Sequence, residues 1–483
     1  MITTKNFTKK YADRVLFEQA DLRIGNGVKI GLVGRNGCGK TTLFKVLIGV
    51  EDHTNGTIDM QGEVIGYIPQ EFDFPDELVG EYLEKRLEEP WDFYKIDALA
   101  GKLNFHNFDP YQSISTLSEG QKMKVKLIEA MLMEPTTLFI DEPTNHLDIE
   151  GIMWFEEYVK YLPVSVVMIS HDRQFLNRTV DEIWEIDNGS VYRFVGDYDN
   201  YRTEKLKLID KWDQEYVLFL KRKAQLERLL ESARKIKDGK KRGRAVESAK
   251  KRIKREVEDN SKEKYEVKKV RDLRFASDAH MQKLMIKLSG LTKYYGDKKV
   301  FEELNFELRG KEKIWLYGTN GAGKSTLVKM VMGFEAPTSG EIIIGNNVTI
   351  GYFSQTQHAF NQSNTVLDEF CTVTGAFFGD AFGYLKKFLF EKDDLQKRIF
   401  QLSPGERARF AFSIFAKKNY DLLILDEPDN HLDIETKEVI EKALREFNGA
   451  VLLISHDRYF VEMVRVNKVV NLKDDTLSYF DEQ

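Results

Sequence analysis

The chain has very little cysteine: Cys38 and Cys371 are the only two in 483 residues. That excludes a disulfide framework and points to a reducing compartment. No stretch approaches the roughly 18 uninterrupted apolar residues of a membrane-crossing helix, and the amino-terminal MITTKNFTKK lacks the apolar core of a secretory signal. These absences lead to the expectation of a cytoplasmic protein with no membrane span. Proline is scarce as well, and none falls between Tyr201 and Met285. That segment is therefore open to long, unbroken helix. The length allows about three domains of usual size.

The most informative feature present is a phosphate-loop pattern that occurs twice, GRNGCGKTT from Gly34 to Thr42 and GTNGAGKST from Gly318 to Thr326. Each follows an apolar run, Val28 to Val33 and Ile314 to Tyr317. Such a loop between strand and helix turns backbone N–H groups towards phosphate oxygens. The expected phosphate-binding residues are Gly34, Asn36, Gly37, Gly39, Lys40, Thr41 and Thr42, with Gly318, Asn320, Gly321, Gly323, Lys324, Ser325 and Thr326 in the second copy. Lys40 and Lys324 would reach the terminal phosphates, and Thr41 and Ser325 would offer a hydroxyl to Mg²⁺. A Gly-rich turn imitates one such loop about one time in ten; two in one chain leave that explanation negligible. A nucleoside triphosphate at two sites is the expected ligand, and Cys38 reads as a small filler within the first loop.

Spacing shows that the whole chain is a repeat around an insert. After each lysine an apolar run ends in glutamine, GYIPQ at Gln70 and GYFSQ at Gln355. LSEGQ around Ser118 is matched by LSPGE around Ser403, LFIDEPTNHLD with Asp141 and Glu142 by LLILDEPDNHLD with Asp426 and Glu427, and ISHDR at His171 by ISHDR at His456. Serine to glutamate is 24 residues in both copies, and glutamate to histidine 29 in both. The glutamine-to-serine intervals agree within a residue, so neither copy is expected to hold an insertion there. By the same count no further domain is expected after the second copy. The predicted domains are 1–200, 201–284 and 285–483.

Leu138 to Ile140, Leu422 to Leu425, Val164 to Ile169 and Val451 to Ile454 are short, wholly apolar runs, as strands buried in a parallel sheet tend to be. The acidic pairs and the histidines then fall at carboxyl ends of strands, where open α/β sheets place ligands. Ser118 with Gln121, and Ser403 with Glu406, have the spacing of helix capping boxes. An exposed helix N-terminus also favours phosphate, so the cap and an anion site can coincide.

The non-repeated middle is basic. Residues 201 to 280 hold 26 Lys and Arg against 15 Asp and Glu, while the whole chain carries a net charge of −6. Leu206, Ile209, Trp212, Tyr216, Phe219, Leu220, Leu226, Leu229 and Leu230 follow helical spacing, and Val246, Ala249, Ile253 and Val257 resume it. KDGKKRGR between them, with Gly239 and Gly243, reads as the turn of an antiparallel helical hairpin. A helix of about 35 residues extends roughly 50 Å. The far half of the hairpin is strongly positive: Lys221, Arg222, Lys223, Arg234, Lys235, Lys237, Lys240, Lys241, Arg242, Arg244, Lys250, Lys251, Arg252, Lys254 and Arg255 are the candidate RNA contacts. A solvated, charge-rich coiled coil is the other explanation of such a segment.

The ordered set of phosphate loop, LSxG[QE], acidic strand end and strand-end histidine resembles the ATP-binding cassette ATPases across both halves. Two cassettes in one chain around a charged helical hairpin resemble the ABC-F subfamily. The fold implied is α/β: two P-loop ATP-binding cassette domains, each a mixed sheet core plus a helical subdomain, joined by the hairpin. The resemblance implies head-to-tail pairing of the cassettes within a monomer. One ATP would lie between Lys40 and Ser403 with Gly405, and the other between Lys324 and Ser118 with Gly120. It further implies that Asp141 and Asp426 assist Mg²⁺, that Gln70 and Gln355 contact metal or water, and that Glu142 and Glu427 act as general bases in hydrolysis of ATP to ADP and phosphate. His171 and His456 would contact the γ-phosphate, and Tyr11 and Tyr295 would stack on adenine. The sequence departs from the usual pattern where Glu119 and Pro404 replace the third signature glycine, and where Asp429 stands opposite Thr144 of the first copy.

The partner implied for such a chain is the ribosome, with rRNA and P-site tRNA met by the hairpin near the peptidyl-transferase centre. The chain would act there as a translation factor or as a ribosome-protection protein conferring antibiotic resistance. Two other classes compete. An ATPase subunit of a transporter with a separate membrane partner accounts for the cassettes but leaves the basic hairpin idle. A DNA-associated ATPase also couples cassettes to a hairpin, but there a much longer coiled coil interrupts one cassette.

Overall fold

The apolar runs beside the acidic pairs form strands with no exposed face. Thr137–Asp141 and Leu422–Asp426 are buried along their whole length, as are Ser165–Ile169 and Ala450–Ile454. Burying each Val, Leu, Ile or Phe contributes about 1.5–3 kcal/mol, and strands covered on both faces need no polar alternation. The computed structural model describes all residues except 12–13, 61, 88, 90, 106–107, 261–264, 266–269, 271–272, 278, 355–359, 431, 474–475 and 481–483. Gln355 therefore lies outside the described residues.

Each cassette is built on a six-stranded sheet of the same order. In the first, Ile65–Ile68, Thr137–Asp141, Ser165–Ile169, Lys29–Gly34 and Glu182–Asp187 run parallel, and Ser190–Val195 closes the edge antiparallel. In the second, Ile350–Phe353, Leu422–Asp426, Ala450–Ile454, Lys313–Tyr317 and Lys468–Lys473 are followed by antiparallel Thr476–Phe480. Register aligns Asp141 with Ile169 and Asp426 with Ile454. The acidic strand end and the histidine two residues beyond its neighbour thus sit at one edge of each sheet. A smaller antiparallel sheet accompanies each, pairing Ile2–Tyr11 with Arg14–Ala20 and Asn55–Asp59, and Leu284–Tyr295 with Lys298–Arg309 and Ser339–Ile344. Between strand Ile65–Ile68 and strand Thr137–Asp141 come the helices Val79–Glu84, Phe93–Lys102 and Glu119–Leu132. The second cassette has Val366–Thr374, Phe378–Lys386 and Pro404–Lys417 in the same interval.

The chain divides into two compact units, Met1–Tyr198 with Lys269–Gln483, and Asp199–Lys268. Both cassettes share the first unit. Val270, Leu273 and Phe275 join the core of the second cassette, although they fall in the non-repeated stretch 201–284.

The insert forms helix Tyr198–Arg234, helix Gly239–Ile253 and a π-helical turn Lys254–Glu258. The two helices are antiparallel partners, since Arg222 Nε donates to Glu256 Oε2 at 2.8 Å and the rings of Trp212 and Tyr265 lie 4.7 Å apart. Leu226, Ala233, Ala249 and Val257 are buried between them, whereas Leu206, Leu220 and Leu229 stay exposed. The turn is shorter than the glycines suggest. Asp238 caps the second helix, accepting from Lys240 N and Lys241 N at 3.0 Å, so Gly239 and Gly243 lie inside it. A carboxylate cap satisfies the orphan N–H groups and starts the helix where glycine alone would have delayed it.

Candidate nucleotide site between the cassettes

The two phosphate loops share one geometry. Gly39 and Gly323 precede helices Lys40–Leu47 and Lys324–Val331 with φ of 109° and 95°. A Cβ would meet Leu16 at 3.2 Å on Gly39 and Val300 at 2.6 Å on Gly323. Both the backbone angle and the close approach therefore demand glycine. Lys40 Nζ donates to the carbonyls of Gly34 (2.7 Å) and Arg35 (3.2 Å), and Lys324 Nζ to those of Gly318 (2.7 Å) and Thr319 (3.0 Å). Each ammonium is folded over the loop that would hold the phosphates.

Both side-chain oxygens of Asp141, and Oδ1 of Asp426, are buried without a hydrogen-bond partner. Burial pushes both carboxyls up, opposed by the Thr41 hydroxyl and Lys40 in the first cassette and by the Ser325 hydroxyl and Lys324 in the second. An orphaned buried carboxylate is costly unless something cationic meets it. A hard oxygen-seeking ion fits a carboxylate and a hydroxyl beside a phosphate loop. Among the described residues no cluster of three or more His, Cys, Asp or Glu side chains forms a metal cage. Bound Mg²⁺–ATP would supply the reacting phosphate and the charge neutralisation, and the chain's own residues then set the rest.

The glutamates that follow are held in an unusual backbone conformation. Glu142 and Glu427 have φ of 50° and 51°, the left-handed region that non-glycine residues adopt only when the surroundings impose it. Their N–H groups bond to Ile169 O (3.0 Å) and Ile454 O (2.9 Å) on the neighbouring strand, which fixes the carboxyls beside the histidine loops. His171 Nε2 lies 3.3 Å from Glu142 Oε1, and His456 Nε2 lies 3.7 Å from Glu427 Oε1. Burial pushes both glutamates up to about 7, aided by the adjacent aspartates. Burial, then Lys324, brings His456 down to about 4. A carboxyl poised near neutrality is suited to taking a proton from water.

A cleft of about 960 Å³ opens between the cassettes. From the first come Tyr11, Asn36, Gly37, Gly39, Lys40, Thr41, Thr42, Gln70, Asp141, Glu142 and His171, and from the second Ser403, Gly405, Glu406, Arg409 and His456. The fold thus brings Lys40 and Ser403 to one cleft, 363 positions apart in sequence. Ser118 and Ser403 each cap their helix in a complete capping box, with Gln121 N and Glu406 N donating to the serine Oγ at 3.3 Å. Pro404 occupies the first turn, where a missing N–H is harmless. Lys324, Ser325, Ser118 and Gly120 do not line this cleft. On their side, Asp148 of the first cassette accepts from Asn320 N of the second loop at 3.3 Å.

Tyr11 and Tyr295 are held alike. Each hydroxyl bonds to a glutamate, Glu51 and Glu335, and a lysine lies over one ring face, Lys9 at 4.7 Å and Lys293 at 4.9 Å. Both rings remain exposed. All fifteen candidate RNA-contacting side chains of the hairpin are exposed in their own unit.

Several contributors were not among the expected site residues. Arg409 is half-buried at the cleft with no partner for Nε, and burial brings its pKa down. Arg173 pairs with Glu441, and Arg458 with Glu156, across the cassettes. The repeat held a signal for these: the two arginines end the paired ISHDR motifs, and the two glutamates sit at matching positions.

The ABC transporter family profile matches residues 17–145 and 301–430. The chain is 32% identical to ABC transporter F family member 2 of Arabidopsis thaliana, over 99% of this chain and 77% of that one. It is 31% identical to the energy-dependent translational throttle protein EttA of Escherichia coli K12, over 97% and 91%. In fold it is similar to a chain of a structure described as a model of ribosome-bound archaeal Pelota and ABCE1. There the TM-score is 0.65 and the identity 22%, over 99% of this chain and 78% of that one. No described helix is long and apolar enough to cross a membrane. Matched over both cassettes and nearly its whole length, the chain belongs to the ABC-F family of ATP-binding cassette proteins.

Proposed function

We propose that this chain is a cytoplasmic ATPase of translation, hydrolysing ATP at two composite sites and binding the ribosome in its ATP-closed form. What carries the first part is the cleft that joins Lys40, Asp141, Glu142 and His171 to Ser403 and Gly405. The second site, between Lys324 and Ser118, follows from the repeat and from the Asp148–Asn320 contact. At each site the lysine and loop N–H groups hold phosphates, and Asp141 with Thr41, or Asp426 with Ser325, holds Mg²⁺. Glu142 or Glu427 takes the proton of the attacking water, while His171 or His456 steadies that carboxyl and the terminal phosphate. Gln70 and Gln355 complete the metal and water contacts, and Tyr11 and Tyr295 offer their open ring faces to adenine.

The ribosomal part rests on the exposed basic hairpin and on a relative named as a translational throttle. Through Lys221 to Arg255 the hairpin meets rRNA and tRNA near the peptidyl-transferase centre. Its work there is either a translation-factor step or displacement of an antibiotic. Co-sedimentation of Glu142→Gln/Glu427→Gln with ribosomes in ATP tests the proposal. Stable, ATP-dependent association is expected, and free sedimentation away from ribosomes sinks it. Antibiotic susceptibility with and without the gene then separates the two roles.

A further inference from the structure

The two cassettes differ at the floor of the cleft. Where the first has Thr144 and Ile152, the second has Asp429 and Lys437, and all four line the space between the histidine loops. Lys437 is buried. Its Nζ donates to the carbonyl of His171 in the first cassette at 3.2 Å and to Asp457 Oδ2 beside His456 in the second at 2.8 Å. Asp457 and Asp172 each cap the short helix that follows their histidine, accepting from Phe460 N and Phe175 N at 2.9 Å.

One ammonium therefore touches both histidine loops. Asp172 and Asp457 repel one another, and burial together with that repulsion pushes Asp172 up to about 7, while Lys437 and Arg173 hold Asp457 low against the effect of burial. Lys437 is the cation that offsets this repulsion on both caps, joined by Arg458 at Asp172 and Arg173 at Asp457. A shift of the His171 loop breaks a hydrogen bond to a group that Asp457 holds in the other cassette, with the Asp429 charge nearby, so neither loop is free to move without the other. The first cassette offers no equivalent, because Ile152 has neither donor nor charge.

We propose that Lys437, with Asp429 as its counter-charge, is a positioning residue that makes the two ATP sites interdependent by tying the His171 loop to the His456 loop; this rests on the two-site reading above. The double variant Lys437→Ile/Asp429→Thr gives the second cassette the neutral pair of the first and removes one charge of each sign. Binding is read by titrating mant-ATP into full-length Glu142→Gln/Glu427→Gln protein. A Hill coefficient clearly above 1 is expected with Lys437 or Lys437→Arg, and about 1 in the symmetrised variant. Turnover gives a second reading. Glu142→Gln should lower it by at least about fivefold with Lys437 present but only about twofold in the symmetrised variant, the loss of one of two independent sites.

Equal effects in the two backgrounds, with the melting temperature retained, overturn the coupling. If the symmetrised variant does not fold, Lys437→Met must show the same loss of coupling, and its failure to do so is equally decisive. Absence of turnover in the parent counts against the two-site reading instead, while the binding titration still decides the coupling.

Discussion

Arg173 of the first cassette and Glu441 of the second form an ion pair almost wholly withdrawn from water, with side-chain exposures of 2% and 5%. Both guanidinium ends take part, Nη1 reaching Oε2 at 3.2 Å and Nη2 bonding to Oε1. The Tyr459 ring lies 4.0 Å from the guanidinium carbon. Its counterpart by the repeat is Arg458 with Glu156, where Glu156 also accepts from Arg178 at 3.0 Å. The cassettes are thus joined by one contact used twice, as a two-fold related pair of surfaces requires.

Removing one partner of such a pair leaves a buried charge uncompensated, which costs about 3–5 kcal/mol. Arg173→Met should therefore lower the unfolding transition of the two-cassette unit markedly. Arg173→Met/Glu441→Leu, which removes both charges, should recover most of the loss. Thermal melts of the three proteins without nucleotide provide the check.

The glutamates give a pH dependence of definite sign. Glu142 and Glu427 titrate near 7 when folded against an ordinary value of 4.5. Between those values the folded chain holds protons that the unfolded chain has released, so the contribution of these two groups to stability is full below about 4.5 and is lost as pH rises through 7. Replacing either by Gln should stabilise the nucleotide-free protein at pH 8 by no more than about 3 kcal/mol, with the gain vanishing near pH 4.5. Denaturation at the two pH values measures this. In the same window kcat/KM for ATP should rise with pH as the bases lose their protons.

Arg409 is half-buried at the cleft wall, with a buried Nε that has no hydrogen-bond partner. A charge-assisted hydrogen bond to a ligand contributes about 1.5–3 kcal/mol. Arg409→Ala should weaken nucleotide binding at the first site by roughly 10- to 100-fold, and Lys124→Ala, at the matching position of the first cassette, should have little effect on it. Titration of each variant in a Glu142→Gln/Glu427→Gln background distinguishes them.

Changing Lys240, Lys241, Arg242 and Arg244 together to Ala should leave ATP turnover of the free protein intact. Ribosome affinity should fall, and its dependence on salt should flatten by about 0.7–0.9 for each phosphate that is no longer neutralised. Binding at several salt concentrations tests this; an unchanged slope removes these residues from the RNA interface.

The tandem cassettes are written in the sequence alone, because phosphate loops, caps and acidic strand ends are local devices whose residue types and spacings are set by backbone geometry. The capping serines, the loop glycines and the fully buried strands were all legible that way. Local pattern misled at the hairpin turn, where the Asp238 cap outweighed two glycines, and repeat spacing left Val270, Leu273 and Phe275 in the insert because their place in the second core has no counterpart in the first copy. What faces what across the cassettes is settled only in three dimensions. Arg173 meets Glu441, Arg409 walls the cleft and Lys437 lies against the His171 carbonyl because two sheets bring distant segments together, and such pairings leave no periodicity in one chain. The left-handed Glu142 and Glu427 belong to the same class, since the neighbouring strand's carbonyl imposes a conformation that no residue type in the motif would choose alone.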